Sequence, residues 1–175
     1  MGYPLFTTGD VLNASDMNAV GLWLVNSGTL TGTSTIASNC FSSNFTNYRL
    51  VVRVFSASGG EVYVKLRNSG GTNSANYDWG LYGVLNPGGA GTYAANNNPY
   101  IPCGGYNQSV VTMDIFSPNE VTPTWFTAQY GFDLSGTYHF RNYAGRHTPS
   151  TAYTSLDFQS GSSMTGKYYI YGYRN

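Results

Sequence analysis

Charged residues are scarce in this chain of 175 residues. Lys and Arg together number 8, Asp and Glu together number 8, and the formal net charge is zero. Charged side chains make up 9% of the chain, whereas an ordinary soluble domain has about 25%. With so few cations, the chain has no basic surface to neutralise a phosphate backbone. The composition therefore argues against nucleic-acid binding by charge.

Long apolar runs are also missing, and so are cysteines in a CxxC arrangement. The sequence contains no stretch of about eighteen apolar residues, which argues against insertion in a membrane. The first ten residues have neither a basic segment nor an apolar core, so we expect no secretory signal and synthesis in a cytoplasm. Cys40 and Cys103 lie far apart in the sequence. In a reducing compartment we expect both to be free thiols, with a disulfide between them as the alternative.

Tyrosine and small polar residues take the place of the missing charge. The chain has 16 Tyr and 22 Gly, with many Asn, Ser and Thr. Tyr offers a wide apolar ring and one hydroxyl at a low cost in rotamer entropy, and Asn and Ser add adaptable hydrogen bonds, as in binding surfaces. A chain without net charge lacks repulsion between copies, so this composition favours a closed oligomer. Alternatively, the aromatic residues are abundant because they suit strands.

Alternating apolar and polar residues predict strands through most of the chain. Residues 48–55 and 62–66 both alternate, and the Gly- and Ser-rich segment between them predicts a hairpin. Further strands are predicted at 111–115, 124–130, 156–158 and 167–173, with weaker ones at 22–26, 79–84 and 136–143. Eight or nine short strands separated by Gly, Pro and Asn predict an all-β fold, an antiparallel jelly-roll-like β-sandwich. Residues 86–108 are rich in Gly, Pro and Asn and are predicted to form a long loop.

The predicted β domain occupies residues 22–175 and follows an N-terminal arm, residues 1–21. Residues 14–20 hold the one plausible helix, with Ser15 as its N-cap. A helix of at most two turns is unstable alone in water, so we expect it to dock on its own domain or on a neighbour. The apolar residues that could make such contacts are Phe6, Val11, Leu12, Met17 and Val20.

Sequence motifs that would indicate phosphate or metal binding are weak in this chain. Residues 161–167, GSSMTGK, match the start of a phosphate-binding loop. Tyr168 stands where that loop needs Ser or Thr, and a strand is predicted to follow, so we interpret the segment as a hairpin loop. His139 and His147 are too few for a three-histidine zinc site, and no Cys or carboxylate lies beside them at zinc-ligand spacing. We therefore predict no metal and no cofactor.

The carboxylates show no pairing that would indicate glycoside hydrolysis, which needs two opposed carboxyl groups. Glu61, Asp114 and Asp157 are predicted on outward strand positions. Asp78, Glu120 and Asp133 are predicted in loops. We therefore predict a protein that is not an enzyme and has no catalytic residue.

Aromatic residues predicted to lie in loops are the best candidates for ligand binding. Sugar rings pack their C–H edges on aromatic faces, while Asn, Asp and Arg form hydrogen bonds with hydroxyls. Packing within a strand is the alternative for each residue. The candidate glycan-binding set is Tyr77, Asp78, Trp79, Tyr93, Tyr100, Tyr106, Tyr143, Arg146 and His147.

Two segments of the chain carry a resemblance to bacteriophage proteins. Residues 6–18, FTTGDVLNASDMN, resemble the opening of many phage tail-fibre and minor virion proteins. Residues 160–174, SGSSMTGKYYIYGYR, are similar to the final hairpin of phage receptor-binding and tail-fibre head domains. In those heads a Gly-bounded turn leads into an alternating aromatic strand.

The resemblance implies a homotrimeric jelly-roll head on a virion, made in the host cytoplasm, that attaches the particle to host-surface glycan. The N-terminal arm would then join the head to other virion proteins. No coiled coil, β-helix or collagen-like shaft separates arm from head. This departure raises the alternative of a capsid, collar or tail decoration protein that stabilises the particle without binding a receptor. A small glycan hydrolase or esterase is a second alternative.

Overall fold

The computed structural model describes residues 21–57, 60–85, 89–104, 107–134 and 136–173. The predicted helix at 14–20 and the apolar residues of the arm, Phe6, Val11, Leu12, Met17 and Val20, lie outside the described residues. The described strands are β1 (Trp23–Ala37), β2 (Asn47–Ala57), β3 (Val62–Asn68), β4 (Gly71–Thr72), β5 (Tyr77–Leu85), β6 (Gly89–Asn98), β7 (Ile101–Pro102), β8 (Asn107–Phe116), β9 (Thr124–Leu134), β10 (Thr137–His147) and β11 (Ser155–Tyr173).

These strands confirm the predicted all-β, antiparallel fold, and the curl of their sheet is consistent with a jelly roll. They form one curled sheet with the order β4-β3-β11-β2-β8-β9-β10-β5-β6, while β1 pairs with β11 and β7 pairs with β3. The sheet curls into a half-barrel, and its concave side holds the core. None of the described residues forms a helix long and apolar enough to cross a membrane.

Alternation along the strands separates the core from the outer face, as the sequence predicts. In β8, Val111, Met113 and Ile115 are fully buried, while Thr112 and Asp114 between them are part-exposed. The same alternation continues across the neighbouring strands, since β8 pairs with both β2 and β9. Each strand therefore contributes every second side chain to the concave core.

The predicted hairpin between residues 48–55 and 62–66 is wrong. Strand β2 pairs with residues 164–173 of β11, and β3 pairs with residues 155–160 of the same strand. The two strands therefore follow one another along β11 instead of pairing together. The reason is the length of β11, whose 19 residues accommodate both partners.

The hairpin loop predicted at residues 161–167 is also wrong, because this segment lies inside β11. Gly166 is required there by close packing. A Cβ at this position would overlap the carbonyl oxygen of Arg53 and lie 3.1 Å from Leu30 Cδ1. The glycine thus permits close pairing within the sheet and does not mark a turn.

The long loop predicted at residues 86–108 is replaced by two strands, β6 and β7. Strand β6 pairs with β5 in a register that places Ala95 opposite Trp79 and Tyr93 opposite Leu81. Gly and Asn have low strand propensity, but pairing with a neighbouring strand overrides that preference. The result is a β5–β6 hairpin at one end of the sheet.

Cys40 and Cys103 are free and buried, as predicted for thiols in a reducing compartment. Burial raises the pKa of the Cys40 thiol to about 12 and raises that of Cys103 as well. Because the thiolate is the reactive form, both side chains behave as small apolar core residues at neutral pH.

Candidate functional site

A cavity of about 490 Å³ opens on the concave side of the sheet, beside the β5–β6 hairpin. Its walls come from β5, β6 and β10, from the segment around β7, and from the residue that precedes β3. The lining residues are Glu61, Trp79, Leu81, Gly83, Gly91, Thr92, Tyr93, Asn98, Tyr100, Pro102 and Arg141. This volume lies within the usual range for a small-molecule site.

Aromatic side chains form one wall of the cavity. Trp79 is buried, and its Nε1 donates a hydrogen bond to the carbonyl oxygen of Tyr100 at 3.2 Å, which fixes the indole ring. The Tyr93 ring centroid lies 5.5 Å from that of Trp79, and Tyr93 is 57% exposed. Tyr100 stacks on Tyr63 at 4.4 Å. The wall thus joins a fixed indole to an exposed phenol ring that a ligand can cover.

Arg141 and Glu61, which the Tyr130 hydroxyl connects, supply the polar groups of the cavity. Arg141 Nη1 donates a hydrogen bond to the Tyr130 hydroxyl at 2.8 Å, and its guanidinium carbon lies 5.0 Å from the ring centroid of Phe132. The Tyr130 hydroxyl lies 3.5 Å from Glu61 Oε1, a long contact. Burial raises the pKa of Glu61 above its ordinary value, and the positive charge of Arg141 offsets part of that shift. The cavity therefore holds a carboxylate and a guanidinium close together.

Three of the candidates named from sequence line this cavity: Trp79, Tyr93 and Tyr100. Trp79 lies in β5, at the strand that the sequence predicts for residues 79–84. Tyr93 lies in β6, so its predicted placement in a loop is wrong. Tyr106 lies outside the described residues.

Asp78 and Arg146 come together on the opposite face of the sheet, away from the cavity. Arg146 Nε lies 3.6 Å from Asp78 Oδ2, and the guanidinium carbon of Arg146 lies 5.6 Å from the ring centroid of Trp125. Asp78 Oδ1 also accepts a hydrogen bond from the backbone N–H of Asn97 at 2.9 Å. Both residues lie in strands, β5 and β10, and not in the predicted loops.

Tyr77, Tyr143 and His147 are buried residues on the core-facing side of strands β5 and β10. The Tyr143 hydroxyl donates a hydrogen bond to the carbonyl oxygen of Pro102, which links β10 to the cavity wall. His147 Nε2 donates to the carbonyl oxygen of Ala75 at 3.1 Å, so Nδ1 accepts from the Tyr153 hydroxyl at 3.0 Å. Burial lowers the pKa of His147, which favours this neutral tautomer.

Sequence reasoning missed the polar side of the cavity. Glu61 is predicted on an outward strand position, but it precedes β3 and lines the cavity. Arg141 is not among the predicted site residues, although the alternation within β10 places it on the same face as His139 and Tyr143. That alternation was the available signal for Arg141, whereas Glu61 carries no comparable local signal.

Other carboxylates also differ from their predicted positions. Asp157 lies on the face of β11 opposite Leu156 and Phe158, as predicted, but it is only 3% exposed. Asp78 and Asp133 lie in strands β5 and β9 and not in loops. Asp114 does lie on the outer face, where it accepts two hydrogen bonds of 2.8 Å from Arg49. Among the residues that the structure describes, no three His, Cys, Asp or Glu side chains are grouped as metal ligands would be.

In comparisons of this sequence with protein-family models and with curated proteins, nothing matches.

Proposed function

We propose that this protein binds host-surface carbohydrate in the cavity beside the β5–β6 hairpin, as the receptor-binding head of a bacteriophage virion. The observation that supports carbohydrate binding best is the pairing of an aromatic wall, Trp79 and Tyr93, with the hydrogen-bonding groups of Glu61 and Arg141. A sugar ring has an apolar C–H face and a rim of hydroxyls. The two sides of the cavity complement those two parts.

The cavity favours binding over hydrolysis. Glycoside hydrolases use two carboxyl groups on either side of the scissile bond. Glu61 is the one carboxylate among the described residues that line the cavity. A single carboxylate beside a guanidinium is suited to accept and donate hydrogen bonds to hydroxyls, so we propose a binding protein and not an enzyme.

Replacing Tyr93 with alanine is expected to weaken glycan binding by about tenfold or more, since aromatic anchors carry much of the energy in binding sites. Tyr93 is 57% exposed, so its removal leaves the core unchanged. The matched control is Tyr82→Ala. Tyr82 is 52% exposed on the neighbouring strand but follows the outward alternation of β5. Titration calorimetry with oligosaccharides selected on a glycan array measures both affinities.

Equal losses in Tyr93→Ala and Tyr82→Ala would show that the cavity is not the binding site. Failure of the wild-type protein to bind any glycan at high concentration would instead favour the decoration-protein alternative. In that case the protein stabilises the particle and contacts no receptor.

The outer face of the sheet supports the proposal of a homotrimer. Val110 of β8 and Tyr138 and Phe140 of β10 are all exposed and line one shallow groove, because Gly131 of β9 pairs with both Val110 and Phe140. Large exposed apolar patches on soluble proteins mark interaction sites. We propose that this outer apolar face packs against copies of the same chain, and that the arm at residues 1–21 attaches the trimer to other virion proteins. A decoration protein would use the same face.

Light scattering is expected to give a mass of three times 19.0 kDa for the wild-type protein. The variant Phe140→Asp places a charge on the outer apolar face and is expected to give the monomer mass. The control Val121→Asp changes a residue that is 73% exposed in the turn before β9. It should leave the trimer intact. A wild-type protein that stays monomeric at micromolar concentration contradicts the proposed trimer.

A further inference from the structure

The formal charges of the two charged side chains in the cavity cancel one another. Glu61 is negative, Arg141 is positive, and the other described lining residues carry no formal charge. The Tyr130 hydroxyl lies between them, at 2.8 Å from Arg141 Nη1 and 3.5 Å from Glu61 Oε1. Contact with the rings of Tyr130 and Phe132 holds the guanidinium in place. The cavity thus presents a fixed donor and an acceptor without a net charge.

Both charged groups retain hydrogen-bonding capacity for a ligand. Within the part of the chain that the structure describes, Arg141 uses Nη1 and Glu61 uses Oε1 for protein contacts. The remaining guanidinium N–H groups and Glu61 Oε2 are therefore available. Neighbouring sugar hydroxyls fit this pair, because each hydroxyl can donate one hydrogen bond and accept another. One hydroxyl donates to Glu61 while the next accepts from Arg141.

An acidic sugar fits the same groups poorly. Its carboxylate would lie close to Glu61, and two negative charges in a part-buried site repel one another. Arg141 offsets the charge of Glu61, so the two side chains together have no net positive charge that would attract a second anion. Burial also raises the pKa of Glu61, because desolvation penalises its charged form.

From this arrangement we infer that the cavity selects uncharged sugars over acidic ones, and that Glu61 determines this specificity. The inference rests on the glycan-binding function proposed above. It adds the class of sugar and the residue that distinguishes between the classes.

The experiment compares sugars that differ at C6 alone. The probes are three matched pairs of equal length: oligomers of galactose and galacturonic acid, of glucose and glucuronic acid, and of mannose and mannuronic acid. The wild-type protein is expected to bind one neutral probe at least about tenfold more tightly than its acidic partner. In Glu61→Gln, that preference is expected to fall by about tenfold, because the repulsive charge is gone. The control Glu120→Gln alters an exposed carboxylate in a turn and should keep the preference.

The possible outcomes separate the inference from the proposed function. A wild-type protein that binds an acidic probe as tightly as its neutral partner overturns the inference and leaves glycan binding intact. A protein that binds none of the six probes counts against the proposed function, and the inference fails with it. A folded Glu61→Gln protein that keeps the full preference overturns the role of Glu61. If Glu61→Gln does not fold, as judged by thermal unfolding, Glu61→Ala tests that role in its place. The affinity of the wild-type protein for the neutral probe should also be insensitive to salt, because an uncharged sugar has no charge interaction for salt to screen.

Discussion

Replacing Gly145 with alanine is expected to lower the free energy of unfolding by about 3 kcal/mol, at the upper end of what overpacking costs. A Cβ at this position would overlap the carbonyl oxygen of Asp78 and lie 2.5 Å from Trp79 Cβ and 2.7 Å from Phe126 Cζ. Gly145 pairs with Trp79 on one side and with Phe126 on the other. Because both neighbours are buried, neither can move without disturbing the core. Urea unfolding of the two proteins measures the difference.

The same substitution should also weaken glycan binding, since the indole of Trp79 belongs to the aromatic wall of the cavity. Gly161→Ala is the matched control, because a Cβ on this glycine of β11 meets no atom within 4 Å. We expect this control to be neutral or to stabilise the protein by up to about 1 kcal/mol, because alanine lowers the conformational entropy of the unfolded chain. Equal stability of the two variants would show that Trp79 and Phe126 do not pack over Gly145.

The strands could be predicted from the sequence because one face of each strand contacts the core. Alternation places Val111, Met113 and Ile115 on one face of β8, and all three are buried. The pairing of strands could not be predicted in the same way. Strand β11 pairs with β1, β2 and β3, whose residues are distant in sequence. A local signal, such as the Gly- and Ser-rich segment before Gly60, does not reveal whether the flanking strands pair with one another.

The candidate site could be predicted only in part, for a similar reason. Trp79, Tyr93 and Tyr100 could be selected because aromatic residues are the common element of sugar sites. Glu61 and Arg141 meet across the Tyr130 hydroxyl only after β10 has paired with β9. Residue type also selected Tyr143 and His147, which the sheet buries. Exposure depends on the curl of the sheet, and a single strand does not encode it.

Replacing Asp157 with alanine is expected to cost about 2 kcal/mol of stability, because hydrogen bonds to a charged acceptor contribute more than those between neutral groups. Asp157 is 3% exposed and accepts hydrogen bonds from Gln159 Nε2 at 2.6 Å, Ser34 Oγ at 2.8 Å and Thr72 Oγ1 at 2.9 Å. These donors lie on β11, β1 and β4, so one carboxylate joins three strands. Arg67 Nη1 in turn donates to Thr72 Oγ1 at 2.7 Å, which directs the threonine hydroxyl towards Asp157.

Asp114→Ala is the matched control, because Asp114 also accepts short hydrogen bonds but lies on the outer face. Its ion pair with Arg49 lies on the outer face, with 40% of the arginine side chain exposed. Water can replace a partner there, so we expect a loss of about 1 kcal/mol or less. Asp157→Asn keeps the volume but removes the charge and one acceptor, and should fall between the two alanine variants. If Asp157→Ala costs no more than Asp114→Ala in urea unfolding, then β1 and β4 do not converge on this carboxylate.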